Sequence, residues 1–220
     1  MVTYIGLEAH DGTGKSTTAG KLLGMFNGVH LQKTEEMAKI RDRLITQKNH
    51  GEISLSVLSE RVDQTYRDER AHVESLPEVK DLKSDTLVIL DRSWASFAAE
   101  QLVDCLNQNP PVKFEHQQED GTIRYPKGIL KPSITFELFI PEERRLARVT
   151  LRGEELQDRD KRLRDEPKYR HELERARRDL GCFRLSLRER NEKVSALRAA
   201  QVLLGHASTP PLKLKPNWRD

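Results

Sequence analysis

A glycine-rich turn between an apolar stretch and a helical pattern is the feature that most limits how this chain can fold. Residues 9–16 read Ala-His-Asp-Gly-Thr-Gly-Lys-Ser, which matches the Gly-x-x-x-x-Gly-Lys-Ser pattern of phosphate-binding loops, with Ala9 in place of the first glycine. The apolar residues 2–7 before it predict a buried strand, and the pattern after it predicts a helix from Lys15 to about Met25. Strand, turn and helix in this order are the context in which the motif carries meaning.

The residue types in this loop suit the binding of a nucleoside triphosphate. Gly12 and Gly14 let the backbone curl so that successive N–H groups point at phosphate oxygens, and the following helix adds its positive N-terminal end. Lys15 can reach the β- and γ-phosphates, and the Ser16 hydroxyl can ligate Mg²⁺. Ala9 is tolerated if its backbone is not left-handed. The motif predicts ATP and Mg²⁺ binding but does not distinguish a kinase from an NTPase. The predicted ATP contacts in the loop are Asp11, Gly12, Thr13, Gly14, Lys15, Ser16 and Thr17.

Apolar runs and helical spacing alternate along the rest of the chain. Further strands are predicted over residues 29–32, 86–90, 134–140 and 182–187. Further helices are predicted over residues 35–46, 55–74, 96–106, 142–151, 169–180 and 191–204. This alternation is typical of an α/β fold. Together with the phosphate loop, it predicts a three-layer sandwich of the P-loop NTPase type, with a central, mostly parallel sheet flanked by helices and an arginine-rich lid. Ligands of such sheets bind beyond the carboxyl ends of the strands.

The chain of 220 residues has the length of one ordinary domain. We expect a single domain over residues 1–205, with the lid at about 148–168 and a hairpin-like insert at about 110–128. Residues 206–220 contain prolines and lysines without periodicity, and they are expected to form a poorly ordered C-terminal tail.

The charge and the cysteine content limit which kinds of partner and which cellular compartment we expect. The chain carries 38 Lys and Arg against 35 Asp and Glu, a net charge of +3, which is too mild to indicate a nucleic-acid partner. Arginines concentrate in residues 144–190, which suits an anionic small molecule or a solvated helix face. Cys105 and Cys182 lack metal-ligand spacing and are expected to be free thiols in a reducing compartment. Without a membrane-length apolar run or a basic leader, a cytoplasmic location is expected.

Five segments, in a defined order, resemble the thymidylate kinases, which are nucleoside-monophosphate kinases of the P-loop kinase superfamily. The first is the loop with its preceding glutamate and following threonines, residues 8–18. The second is Asp-Arg-Ser-Trp-Ala-Ser at residues 91–96, after a buried apolar run. The third is an aromatic residue and an arginine one helical turn apart, Tyr66 and Arg70. The others are Lys-Pro-Ser-Ile-Thr at residues 131–135 and an arginine-rich stretch at residues 148–159.

On the acceptor side, the resemblance implies that Arg92 holds the acceptor phosphate and Tyr66 stacks on the acceptor base. Arg70 would reach the edge of that base, and Asp11 would touch the acceptor sugar or the metal shell. Tyr66 as a plain core residue is the alternative reading. The full set of implied acceptor contacts is Asp11, Tyr66, Arg70, Arg92, Ser96, Glu100 and Gln101.

On the donor side, the resemblance implies that arginines of the lid close over the transferring phosphoryl group. Two anions must be brought together, so several cations are needed to neutralise them. The ATP contacts then include Arg148, and the implied metal ligands are Ser16 and Asp91. The implied catalytic residues are Lys15, Asp91, Arg92, Arg152 and Arg159. A homodimer is expected from the resemblance alone.

Three departures from the family's pattern concern the acceptor. Ser93 stands where a tyrosine or histidine is usual, Glu100 where many relatives have a tyrosine, and residues 33–36 replace an Arg-Glu-Pro-Gly segment. The expected reaction is transfer of the ATP γ-phosphate to a deoxynucleoside monophosphate, dTMP, to give dTDP. Two alternatives stay open: a kinase for a different or modified nucleotide acceptor, and a nucleotide-binding protein whose catalysis has decayed.

Overall fold

The computed structural model describes residues 2–10, 12–32, 34–82, 85–153, 158–186, 192–205 and 212–215. Strands and helices alternate along these residues, as the sequence predicts. In chain order they are β1 (Thr3–Glu8), α1 (Lys15–Met25), β2 (Gly28–Leu31), α2 (Glu35–Asn49), α3 (Leu55–Ser75), α4 (Pro77–Lys80), β3 (Leu87–Asp91), α5 (Trp94–Leu106), β4 (Ile134–Phe139), α6 (Glu142–Leu151), α7 (Asp158–Asp165), α8 (Pro167–Asp179), β5 (Phe183–Ser186) and α9 (Glu192–Gly205).

The five strands form one sheet in the order β2-β3-β1-β4-β5, and every pair in it is parallel. β1 is central and pairs with β3 and β4. Its register sets Leu7 against Asp91, so the carboxyl ends of β1 and β3 lie side by side. The phosphate loop that follows β1 and the charged residues that end β3 therefore meet at one edge of the sheet.

Local chemistry accounts for two of these elements, β3 and α2. The unbroken apolar run of β3 is buried on both faces, with Leu87, Val88 and Ile89 at 0% exposure, as expected of an interior parallel strand. α2 begins at the Thr34 N-cap, whose hydroxyl accepts a hydrogen bond from Met37 N at 3.3 Å.

Two hydrophobic clusters cover the sheet from opposite sides. One packs the apolar side chains of β1, β3, β4 and β5 against α1 and α9, around Leu22, Phe136 and Ala199. The other packs α2, α3, α5 and α8 together around Trp94 and Leu173. The result is the three-layer α/β sandwich that the sequence predicts, with helices on both faces of a parallel sheet.

The hairpin-like insert within residues 110–128 contains a short antiparallel pairing around Gln117 and Ile123. Gln118 N donates to Thr122 O at 2.8 Å, and Arg124 N donates to His116 O at 3.0 Å. The insert also packs on the first turn of α5, where the rings of Phe114 and Tyr125 lie 6.4 Å and 4.8 Å from that of Trp94. Burial of aromatic surface against Trp94 therefore adds to the backbone pairing in holding this insert.

Residues 212–215 of the predicted tail pack against the end of α1. Leu214 forms an antiparallel bridge with Phe26, and Lys215 donates from its backbone N to Met25 O at 2.7 Å. The Lys215 ammonium donates to Leu23 O, also at 2.7 Å. These bonds satisfy carbonyls at the end of α1, which have no partner within the helix.

Cys105 and Cys182 are free and buried, as predicted. Burial raises the pKa of both thiols, so neither has the character of a reactive cysteine. Among the helices described, none combines the length and apolar character that crossing a membrane requires.

Candidate active site

The phosphate loop has the backbone that its glycines predict. Gly12 and Gly14 have φ of 81° and 95°, in the left-handed region that favours glycine. Thr13 is 2% exposed and donates from its hydroxyl to His10 O at 2.6 Å, which closes the turn. Ala9 is buried and is not left-handed, so its methyl group fits where the motif has glycine. The loop delivers the chain directly into α1, whose first turn carries the exposed Ser16 and Thr17.

Lys15 and Asp91 join the loop to the end of β3. The Lys15 ammonium lies 3.2 Å from Asp91 Oδ1, with the two side chains 12% and 21% exposed. The pair lies at the sheet edge because Asp91 is the register partner of Leu7. A cation and a carboxylate are therefore concentrated at the opening of the phosphate loop, where a bound nucleotide's phosphates would lie.

The oxygen atoms near this pair fit Mg²⁺. Asp91 supplies a buried carboxylate oxygen, Oδ1, whose neighbour in this structure is the Lys15 ammonium at 3.2 Å. Ser16 supplies a hydroxyl at the start of α1. No group of three or more His, Cys, Asp and Glu side chains in the described part of the chain could hold a metal. Mg²⁺ is usually held by one or two carboxylates together with substrate phosphates, and Asp91 and Ser16 offer donors of that kind.

Arg92 has a strained backbone. Its φ is 66°, and it is the one non-glycine residue with positive φ in the described ranges. Such conformations cost about 1–3 kcal/mol and persist where the surroundings fix them. Here the Arg92 N–H donates to Leu7 O at 3.1 Å, across from β3 to β1. The side chain lines two small cavities of about 100 Å³ and about 20 Å³ between α3 and the end of β3.

Glu8 lies in the candidate site, although no role was predicted for it from the sequence. It is fully buried, and its Oε1 accepts hydrogen bonds from Ser93 N at 2.6 Å and Ser93 Oγ at 2.8 Å. Its Oε2 accepts from Ser96 Oγ. Ser96, predicted to contact the acceptor, is 3% exposed and is held by Glu8. A glutamate that ends an apolar strand was the available signal, because a buried carboxylate needs several donors.

Tyr66 lies beside Arg92 but is wedged into the core. It is 5% exposed, and its hydroxyl donates to Ser93 O at 3.2 Å. Burial raises the pKa of Tyr66 well above its ordinary value, and the carboxylates of Glu69, Glu8 and Glu100 raise it further. Tyr66 also lines the smaller cavity together with Arg92. It is therefore a core residue that borders the candidate site.

Arg70, predicted to reach the edge of the acceptor base, pairs with a glutamate on its own helix. Arg70 donates from Nε to Glu74 at 2.8 Å and borders neither of the two cavities. Glu69 borders both. Of the other predicted acceptor residues, Glu100 is half-buried on α5 and Gln101 is 4% exposed. The larger cavity also includes His30, whose pKa is lowered chiefly by burial, while Asp91 raises it and Lys15 lowers it.

On the lid side, α6 touches the phosphate loop. Arg148 Nη1 donates to Gly12 O at 3.5 Å, and Arg152 is exposed at the end of α6. The backbone of Arg159 lies in α7, and its side chain is outside the described structure. Asp11 and residues 154–157 of the predicted lid also lie outside the described residues. The structure therefore brings Arg148 to the loop.

Two arginines of the arginine-rich stretch are buried rather than solvated. Arg145 is 1% exposed and makes two hydrogen bonds to Glu142, at 2.7 and 2.8 Å. Arg177 is also 1% exposed, and it lies 3.1 Å from Glu137 and 3.3 Å from His10 Nε2 of the phosphate loop. These residues line a cleft of about 610 Å³ between α6, α8 and the end of β4.

No protein-family model matches the chain, and no curated protein matches it. Solved structures do match. A thymidylate kinase from Ehrlichia chaffeensis is 16% identical, with a TM-score of 0.54 over 92% of this chain and 98% of that one. A thymidylate kinase from Candida albicans, a protein of broad substrate specificity, is 14% identical, with a TM-score of 0.60 over 97% of this chain and 96% of that one.

Both likenesses extend over nearly the whole length of each chain, so they include the sheet, its flanking helices and the edge where β1 and β3 end. At these identities the likeness concerns the fold. The five-stranded parallel sheet and the loop after its central strand agree with the same class. The chain therefore has a thymidylate kinase-like fold, a P-loop α/β fold.

Proposed function

We propose that this chain is an ATP-dependent nucleoside-monophosphate kinase that transfers the γ-phosphate of ATP to dTMP to give dTDP. The observation that carries the proposal is the Lys15–Asp91 pair, 3.2 Å apart, where the phosphate loop meets the turn that bears Arg92. A donor phosphate held by the loop and an acceptor phosphate held by Arg92 would share this edge of the sheet. Phosphoryl transfer needs this arrangement because its catalysis consists mainly of positioning and charge neutralisation.

Each cation in the site has a distinct part in this reaction. Lys15 binds the β- and γ-phosphates and stabilises the charge that develops between them. Mg²⁺, held by Ser16 and Asp91, would neutralise phosphate oxygens. Arg152 and Arg159 of the lid would approach the transferring group on closure, which excludes water and favours the acceptor over hydrolysis. The assembly of two chains into a homodimer stays a prediction.

A second acceptor class is favoured by Glu69. The residue expected to donate to the base edge, Arg70, is paired with Glu74, whereas Glu69 borders both cavities beside Arg92. A carboxylate only accepts hydrogen bonds, so it suits an acceptor nucleotide whose base carries an exocyclic amino group. Thymine has no amino group: its edge offers one N3–H donor between two carbonyl oxygens, and those oxygens would be repelled by the carboxylate.

Lys15→Ala tests the kinase assignment. The wild type and the variant are each incubated with ATP, Mg²⁺ and dTMP, and the rate of ADP release is measured. Loss of one preorganised donor is expected to lower kcat by about two to three decades in a folded variant. Lys39→Ala is the matched control, because Lys39 is 70% exposed and pairs with Glu35 on the surface of α2. A folded Lys15→Ala variant that turns over like the wild type would remove the assignment.

A panel of dTMP, dCMP, dAMP and dGMP separates the two acceptor classes. If Glu69 reads an amino group, the wild type prefers an amino-bearing base, and Glu69→Gln lowers kcat/KM for it by about 10- to 100-fold, as expected for a hydrogen bond to a charged group. Arg70→Ala is the control and changes little. A wild type that prefers dTMP, with Glu69→Gln silent, supports dTMP as the acceptor. No turnover with any nucleotide supports decayed catalysis.

A further inference from the structure

Glu8 connects the two halves of the site through bonds that neither half can make alone. It is the last residue of β1 and directly precedes Ala9, where the phosphate loop begins. Its partners Ser93 and Ser96 are 85 and 88 positions further along the chain. They lie at the other side of the site, immediately after Arg92 and in the first turn of α5.

The hydrogen bonds to Glu8 fix the turn that carries Arg92. Ser93 gives Glu8 Oε1 both its backbone N–H and its hydroxyl, at 2.6 and 2.8 Å. The same hydroxyl accepts from Ala95 N at 3.2 Å and so caps α5. Three donors converge on the two carboxylate oxygens when Ser96 is included. Glu8 is at 0% exposure, so no water replaces a lost donor, and its carboxylate stays satisfied only while all three donors remain in place.

Two further hydrogen bonds hold the turn that carries Arg92. Arg92 N donates to Leu7 O at 3.1 Å, one residue before Glu8, and Tyr66 donates to Ser93 O at 3.2 Å. Arg92 has φ of 66°, which is unfavourable for a non-glycine residue and needs such support. Without the bonds to Glu8, the turn is free to relax this conformation, and the guanidinium moves relative to the loop.

We propose that Glu8 is a positioning residue that fixes the distance between the phosphate loop and the Arg92 turn. This rests on the proposed function, in which the loop holds the donor and Arg92 holds the acceptor phosphate. Glu8 touches neither nucleotide. It sets the alignment of the two phosphates, and misplacement by about 1 Å costs roughly a hundredfold in rate.

Glu8→Gln tests the proposal, because the amide keeps the shape of the side chain and replaces one acceptor oxygen with a donor. We expect kcat to fall about a hundredfold, the acceptor KM to rise, and the Kd for ATP to stay within about twofold. Glu174→Gln is the control: Glu174 of α8 is also buried, at 8% exposure, but pairs with Arg184 of β5 at 3.2 Å. The Glu174→Gln variant is expected to change stability without the fall in kcat at unchanged ATP affinity that is expected of Glu8→Gln.

Hydrogen exchange gives a readout that does not depend on turnover. In Glu8→Gln, exchange is expected to rise together in peptides covering residues 9–14 and 91–96, and in Glu174→Gln in neither. If Glu8→Gln fails to fold, Ser96→Ala replaces it, since Ser96 loses only its hydroxyl and one of the three bonds. Faster exchange in only one segment, or unchanged kcat in the folded variants, overturns the proposal. Absent turnover in the wild type overturns the proposed function, and the exchange experiment still decides the role of Glu8.

Discussion

Arg92 shows how one residue reconciles a strained backbone with a charged side chain. Its φ of 66° lies in the region that glycine favours, and yet the proposed function gives this position a guanidinium to bind the acceptor phosphate. The conformation is held by the hydrogen bond that Arg92 N donates to Leu7 O and by the one that Ser93 N donates to Glu8. Strain of this kind occurs at functional sites because the alternative, glycine, carries no charge to bind an anion.

Replacing Arg92 separates the strain from the charge. Arg92→Gly is expected to be more stable than Arg92→Ala by about 1 kcal/mol, because glycine adopts positive φ without a Cβ clash. Both variants lose the guanidinium, so both are expected to lose affinity for the acceptor equally. Urea unfolding measures the first effect and acceptor KM the second. Equal stabilities for the two variants would mean that the turn relaxes once the side chain is gone.

At the scale of elements, the phosphate loop is packed against α6. A Cβ on Gly12 would lie 2.9 Å from Arg145 O and 2.9 Å from a methyl group of Val149. Because one of these atoms belongs to the backbone, α6 or the loop must shift to admit a side chain. The close approach links the loop to the helix that leads into the predicted lid.

Gly12→Ala tests this contact, with Gly121→Ala as its control. Gly12 and Gly121 have φ of 81° and 83°, but a Cβ on Gly121 meets no atom within 4 Å. Both variants incur the cost of positive φ, about 1–2 kcal/mol, and only Gly12→Ala adds the collision. We therefore expect the larger loss of unfolding free energy, and a higher KM for ATP, in Gly12→Ala. Matching losses would show that α6 moves aside without cost.

The predicted lid arginines begin at the end of α6. Arg152→Ala is expected to lower kcat more than it raises the KM for ATP, because its contact would form only when the lid closes on the transition state. Arg175→Ala, which removes an exposed arginine from α8, is the control. Steady-state kinetics with ATP varied at saturating acceptor measure both constants. A change confined to KM would make Arg152 a binding group.

At the scale of the whole molecule, ionic pairs fill the interface between the sheet and α8. Glu137 of β4 and Arg177 of α8 are 3.1 Å apart, with both side chains almost fully buried. Burial raises the pKa of Glu137 above its ordinary value, and the Arg177 guanidinium opposes this shift. Breaking such a pair by removing one partner leaves an uncompensated buried charge, which costs about 3–5 kcal/mol.

The raised pKa of Glu137 predicts how the free energy of unfolding changes with pH. A carboxyl that binds its proton more tightly when folded stabilises the fold fully below its unfolded pKa, and this contribution is lost as pH rises through the folded pKa. Relative to Glu137→Gln, the wild type is therefore expected to be most favoured at acidic pH and less favoured as pH rises above the ordinary value of 4.5. Urea unfolding of both proteins between about pH 4 and pH 7 measures it. A difference that grows with pH would mean that Arg177 outweighs burial.

Near neighbours in the sequence determined the strands, the helices and the phosphate loop of this protein. Apolar runs such as residues 87–90 and the glycines at 12 and 14 act on the backbone locally, so their pattern predicts structure directly. The parallel sheet and the edge at which Lys15 and Asp91 meet follow from the alternation of these elements.

Only the tertiary structure decided which side chains of α3 lie beside Arg92. Glu69 and Arg70 are adjacent, yet only Glu69 borders the cavity that Arg92 lines, on the helix whose Tyr66 donates to Ser93 O. The bonds of Glu8 likewise join residues more than 80 positions apart. Such contacts depend on how whole elements dock, and periodicity reports the buried face of a helix without identifying what will lie against it.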